Sequence, residues 1–148
     1  MKALLQRVSQ ASVTVDSECI GEIGAGLLVF LGLDRDDTRA LADRMLERIL
    51  AYRLFADEQG RMNSSVATTG GGVLLVSQFT LSAETHKGLR PGFSLAMPPD
   101  EAEPLYHYML SQLQARHCPV ASGLFGADMQ VSLVNDGPVT FLLQMTAD

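Results

Sequence analysis

Leu27-Leu28-Val29-Phe30-Leu31-Gly32-Leu33, followed after a polar break by Leu41, Met45, Leu46, Ile49 and Leu50, is the stretch that decides the fold class. An unbroken apolar run of this length suits a strand buried on both faces. The break, Asp34-Arg35-Asp36-Asp37, reads as a loop with Asp37 as a candidate N-cap, and the helical spacing that follows predicts a helix over 38–52. The other face of that helix carries Arg39, Asp43, Arg44, Glu47 and Arg48. The Arg39/Asp43 and Arg44/Glu47 pairs fall at i,i+4 and i,i+3. Alternating signs favour a solvated, salt-bridged face over an RNA-binding stripe.

Upstream, residues 3–9, 12–16 and 18–23 read as short strands. Downstream, turn signals at 57–60 and 70–72 lead into a second buried strand, Val73-Leu74-Leu75-Val76, which runs on into Ser77-Gln78-Phe79-Thr80-Leu81. A long loop from Ser82 is closed by Pro98-Pro99. Asp100 is positioned to cap a second helix, whose apolar residues Leu105, Met109 and Leu113 repeat at four. Residues 127–134 alternate, with Met129, Val131 and Leu133 on one face, and Asn135-Asp136-Gly137 reads as a turn into Val139–Met145. Two main helices among many strands, without βαβ alternation, imply an α+β fold: a strongly curved, barrel-like sheet covered by the helices, in a single domain spanning 1–148. Gly21, Gly24 and Gly26 precede a strand, not a helix, so they are turn residues and not a phosphate loop.

Composition narrows the chemistry. The 148 residues are 47% apolar, enough for one substantial core, and no stretch has the length and apolarity of a membrane span. A soluble cytoplasmic protein that engages no membrane is expected. Cys19 and Cys118 form no Cys-x-x-Cys pair and are expected to be reduced core residues; His86, His107 and His117 lack metal-ligand spacing, so no metal or other cofactor is expected. A formal charge of −6 disfavours wrapping a nucleic-acid backbone, and no DNA partner is expected. Every Lys and Arg lies between Lys2 and Arg116, so any RNA contact falls to that part of the chain or to a partner subunit.

Two segments place polar residues beside deeply apolar strands. In Ser77-Gln78-Phe79-Thr80, extended alternation sends Ser77 and Phe79 to one face and Gln78 and Thr80 to the other, which offers a ligand a hydroxyl, an amide and an aromatic ring. In Asn135-Asp136-Gly137-Pro138-Val139-Thr140, the residues alone favour a trans Gly-Pro turn. Together the two segments resemble the signature motifs of the bacterial-type D-aminoacyl-tRNA deacylase family. The likeness extends through Met1–Val8, Gly21–Gly26, Met62-Asn63, Arg90-Pro91-x-Phe93-Ser94 and Ala127–Val131, essentially the whole chain.

The resemblance implies hydrolysis of the ester between a D-amino acid and the 3′ end of tRNA by a homodimer without a cofactor. Ser77, Gln78, Phe79 and Thr80 would form the catalytic strand end. The Gly137-Pro138 bond would be cis, its carbonyls reaching into the partner's pocket to hold the substrate ammonium and exclude L side chains. Arg7 would brace that segment, or else pair with a nearby carboxylate. Phe79, Ala102, Phe125 and Met129 match positions beside the terminal adenine, and each is equally readable as core. Thr80 is the obvious nucleophile, but its motif supplies no base. Backbone amides near Phe79 and Thr80, helped by the ribose 2′-hydroxyl, are the alternative. A site that only rejects L side chains would also admit glycyl-tRNA, including glycine mischarged on tRNA-Ala. The competing readings are a non-catalytic nucleic-acid-binding dimer and a generic small-ester hydrolase.

Overall fold

The computed structural model describes residues 1–147. The first strand, β1 (Lys2–Val15), is one continuous element where two short strands were expected. Its length is explained by its neighbours. Along one edge its first half pairs antiparallel with β3 (Gly26–Gly32) and its second half with β2 (Glu18–Ile23), while the other edge is lined by β8 (Gln130–Gln144). Asp16 and Ser17, both at positive φ, make the two-residue turn between β1 and β2.

From β3 the sheet continues through two parallel partners, β6 (Gly72–Ser77) and β7 (Val120–Ser122). It curls until β2 comes against β7. At Gly21 a Cβ would stand 2.6 Å from the Ser122 carbonyl oxygen, so a larger residue there would hold the curl open. The result is the expected barrel-like sheet, nearly closed. Its helices are α1 (Arg39–Ala51), the short α2 (Val66–Thr69) and α3 (Pro99–Arg116); a small hairpin, β4 (Phe55–Ala56) with β5 (Met62–Ser64), lies between the first two.

Burial follows the strand period. Leu27, Val29 and Leu31 of β3, with Val73 and Leu75 of β6, pack against Met45, Leu46 and Ile49 of α1 and Leu105, Met109 and Leu113 of α3. Leu28, Leu74 and Val76 point the other way, into a second core with Val8, Val13 and Ile23. Both central strands are therefore apolar on both faces, as their unbroken runs predicted.

Several local expectations are corrected. Thr38, not Asp37, caps α1, its hydroxyl accepting from the Leu41 N–H at 3.2 Å. The Asp37 carboxylate instead takes the Met1 ammonium at 3.0 Å and the Asp34 N–H at 2.7 Å. Pro98 occupies the N-cap of α3 without a side-chain bond, and Asp100 falls in the first turn, where it complements the helix dipole. Asp43 does not serve Arg39: it receives Tyr108 Oη at 3.0 Å and Arg116 at 3.3 Å, while Arg39 lies over the Tyr108 ring. Cys19 and Cys118 are free but exposed, not core residues. No helix among the described residues is long and apolar enough to cross a membrane.

Candidate active site

A cleft of about 670 Å³ opens where β6 ends. The Gln78 N–H donates to the Leu31 carbonyl at 2.7 Å, and the chain then leaves the sheet for a 3₁₀ turn over Phe79–Ser82. Extended alternation therefore stops at Ser77. Ser77, Gln78 and Phe79 all line the cleft, whereas Thr80 is exposed and outside its lining. The Gln78 side-chain amide donates to Thr80 Oγ1 at 2.6 Å, tying the two side chains together.

The first bond of the turn runs from the Leu81 N–H to the Gln78 carbonyl. The N–H groups of Phe79 and Thr80 precede it, and among the described residues they have no acceptor. Ionisable side chains in the described lining are limited to Arg35 and Tyr106. Burial pushes the Tyr106 phenol up to about 12, against a smaller opposing effect of a Ser122 hydrogen bond, so it stays neutral across the physiological range. No group of three or more His, Cys, Asp or Glu with metal-binding geometry occurs among the described residues.

The remaining walls are apolar and aromatic. Ala102 and Tyr106 come from α3, Phe125 and Met129 from the segment between β7 and β8, and Phe93 from the long loop. Tyr106 Oη donates to the Leu75 carbonyl at 3.0 Å in the core beneath, and its ring sits 5.7 Å from that of Phe125. Phe93 meets Phe79 at 5.1 Å across the mouth, leaving Phe79 59% exposed. Ala102 and Phe125 are at once core and cleft: each packs against the main cluster and presents a face to the cavity.

Arg7, Gly137 and Pro138 form a separate site. While β1 passes from Gln6 to Val8, β8 passes from Thr140 to Asn135, so the residues between are pushed out as a bulge. The expected turn is thus a bulge within one strand, and its Gly137-Pro138 bond is cis, contrary to the reading from the residues alone. Gly137 has φ +135°, and a Cβ there would stand 2.6 Å from Val139 Cγ2. Arg7 holds the base of the bulge: its Nε donates to the Asp136 carbonyl at 3.1 Å and lies 3.5 Å from that residue's carboxylate, and its Nη1 donates to Leu54 at 2.9 Å. Arg7 thus bonds the backbone of the bulge and lies beside its carboxylate at the same time. Asn135 closes the bulge, accepting from the Val139 N–H at 3.0 Å and donating to Thr140 Oγ1 at 2.9 Å. Pro138 is exposed on the edge strand, and within one chain the bulge does not line the cleft.

The model of the D-Tyr-tRNA(Tyr) deacylase family matches residues 4–144. The chain belongs to that family. Among its relatives, the D-aminoacyl-tRNA deacylase of Pseudomonas putida is 58% identical over 145 residues, covering 98% of this chain and all of that one. That of Cellvibrio japonicus is 57% identical, covering 98% and 99%. In three dimensions this family member matches the solved structure of a c-Myc DNA Unwinding Element Binding Protein with a TM-score of 0.95 and 45% identity, covering 99% of this chain and 100% of that one. A probable eukaryotic D-amino acid tRNA deacylase shares the fold at a TM-score of 0.83 with 17% identity, covering 96% and 97%.

Sequence reasoning passed over Tyr106, Asn135 and the mouth role of Phe93. For Tyr106 a signal existed: Ala102, Tyr106, Met109 and Leu113 follow a helical stripe as regular as the repeat first noticed. Asn135 was hidden because Asn-Asp-Gly-Pro is equally a turn sequence, and only pairing with β1 turns it into a bulge.

Proposed function

We propose that this chain hydrolyses the ester joining a D-amino acid to the terminal ribose of tRNA, acting in the cytosol as a homodimer of single-domain deacylase subunits. One observation carries the reading: a family member presents an aromatic cleft with two backbone N–H groups at its strand end that have no acceptor among the described residues, and a cis Gly137-Pro138 bulge held at its base by Arg7. Phe79, Phe125 and Met129, with Ala102, hold the terminal adenine by stacking and apolar contact. The N–H groups of Phe79 and Thr80 take the negative charge that develops on the ester oxygen as water adds to the carbonyl carbon. The acyl C–O bond then breaks, releasing the amino acid and the ribose hydroxyl.

No carboxylate or imidazole lines the described cleft, and Thr80 Oγ1 already accepts from Gln78, so the ribose 2′-hydroxyl is the better placed group to activate water. Chirality comes from the partner's bulge. The carbonyls of Gly137 and Pro138 accept from the substrate ammonium and leave no space on the L side. Glycine has no side chain to reject, so glycyl-tRNA, including glycine mischarged on tRNA-Ala, is also a substrate.

The test is hydrolysis of matched D-tyrosyl-tRNA, L-tyrosyl-tRNA and glycyl-tRNA in the presence of a chelator, with sedimentation equilibrium on the same sample. Loss of the D and glycyl esters alone, from a dimer, supports the proposal. Equal loss of D and L esters returns the chain to a general esterase. Binding without turnover makes it a nucleic-acid-binding protein, a reading that its charge of −6 already disfavours.

A further inference from the structure

Most cations of this acidic chain are engaged. Lys2 holds Asp34, Arg7 the bulge, Arg35 the Ser94 carbonyl, Arg53 Asn63 and Arg116 Asp43, and Arg39 covers Tyr108. Arg48 and Arg61 lack a side-chain partner among the described residues, and so do Lys87 and Arg90, which stand in the loop that carries Phe93 to the cleft. Both loop cations are exposed. They flank Leu89, whose 103% exposure means that no described residue packs on its side chain.

The loop carrying that tip is nevertheless anchored at the cleft. Glu84 and Gly92 exchange backbone bonds of 2.7 and 3.0 Å across its base, Arg35 Nε donates to the Ser94 carbonyl at 2.6 Å, and Phe93 closes on Phe79. The carboxylate at the foot, Glu84, lies 3.5 Å from the Ser94 hydroxyl. Directly after the lining residues Pro98 and Pro99, α3 carries exposed Asp100, Glu101 and Glu103 around the lining residue Ala102. The two segments that run on from the cleft lining therefore differ in charge, with two free cations at the loop tip and three carboxylates at the helix start.

We propose that Lys87 and Arg90 carry the phosphates of the RNA strand that leaves the cleft, so that the acceptor end crosses the Phe93 loop and avoids α3. This rests on the tRNA-hydrolase reading and adds the direction of the strand and the residues that receive it. A strand whose terminal base lies between Phe79 and Phe125 has to pass one lip or the other. Phosphates are repelled by the carboxylates of α3 and attracted by cations that need surrender no internal partner to receive them.

The experiment compares D-tyrosyl-tRNA with 3′-O-(D-tyrosyl)adenosine, which lacks every phosphate, using the wild type, the Lys87→Gln/Arg90→Gln variant and an Arg48→Gln/Arg61→Gln control of equal charge change. The tip variant is expected to raise KM for the tRNA roughly tenfold at low salt and to flatten the log–log salt dependence by about 1.4, two single-strand phosphates at about 0.7 each. Its kcat on tRNA and its rate on the adenosine ester should stay within about twofold of wild type. An equal KM rise in the control variant, equal losses on both substrates, or no change on tRNA would each overturn the assignment while leaving the hydrolase reading intact. A wild type inactive on both esters would overturn both readings.

Discussion

Thr80 and Gly137 are opposites at the scale of single residues. The Thr80 hydroxyl is exposed, outside the cleft lining and held by Gln78, whereas its backbone N–H is open. Thr80→Ala removes the hydroxyl and keeps the N–H. The variant is expected to retain kcat/KM for D-tyrosyl-tRNA within about tenfold, whereas a nucleophilic Thr80 would make the loss several orders of magnitude. Gly137 sits at φ +135° with Val139 crowding the place of a Cβ. Gly137→Ala must move the bulge, and a loss of kcat/KM of at least about 100-fold, or about 2.7 kcal/mol of barrier, is expected together with a lowered melting temperature that still leaves the chain folded at the assay temperature. Unchanged activity in Gly137→Ala would remove the bulge from the mechanism.

At the scale of elements, α1 packs on the core while α3 lends Ala102 and Tyr106 to the cleft. The Thr38 cap fixes where α1 starts, one residue after a carboxylate committed to the Met1 ammonium. Thr38→Ala is expected to cost about 1 kcal/mol in a urea titration with little effect on turnover, because it loosens only the first turn. In α3, Tyr106 joins the cavity wall to the core: Oη reaches the Leu75 carbonyl, which also accepts from the Gly123 N–H at 2.9 Å. Tyr106→Phe leaves that carbonyl one partner and should cost about 1 kcal/mol. If the hydroxyl also positions Phe125, KM for the aminoacyl ester rises while kcat holds. A fall in kcat alone would argue that Tyr106 acts on the reaction itself.

At the scale of the whole molecule, the ends of the chain are drawn together by charge. The Met1 ammonium is buried against Asp34 at 2.8 Å, Asp37 at 3.0 Å and the Met145 carbonyl at 2.8 Å, and Lys2 adds a second cation to Asp34. Burial alone would raise the Asp34 carboxyl, but bonds from the ammonium, Ser82 and Lys2 outweigh it and hold the group below its ordinary value. Burial raises Asp37 despite its own bonds from the Asp34 N–H and the ammonium. A depressed carboxyl stabilises the fold above its unfolded value and loses that contribution as pH falls through the folded one, so the Asp34 contribution fades below about pH 4. Asp37 acts in the opposite sense, gaining as it is protonated, and softens the net effect. Asp34→Asn should lower the melting temperature at pH 7 and shrink the difference between pH 7 and pH 3. An unchanged difference would mean that this cluster does not govern acid stability.

The sequence by itself determined the α+β class, both doubly buried strands, the two main helices and the short motifs at which the chemistry is sought, because these depend on local periodicity and on residues adjacent in the chain. It could not determine that Ser77-Gln78-Phe79-Thr80 leaves the sheet after Ser77, since that depends on Gln78 bonding Leu31 on a neighbouring strand. Nor could it tell a turn from a bulge at Asn135–Pro138: the same residues suit both, and pairing with β1 on either side of Arg7 chooses. Tertiary structure alone brought Ala102, Phe125 and Met129 to the strand end, and kept Arg7, Gly137 and Pro138 away from it. Contacts between distant segments are set by how the sheet curls, and a curl closed through Gly21 and Ser122 has no signature in any one stretch of chain.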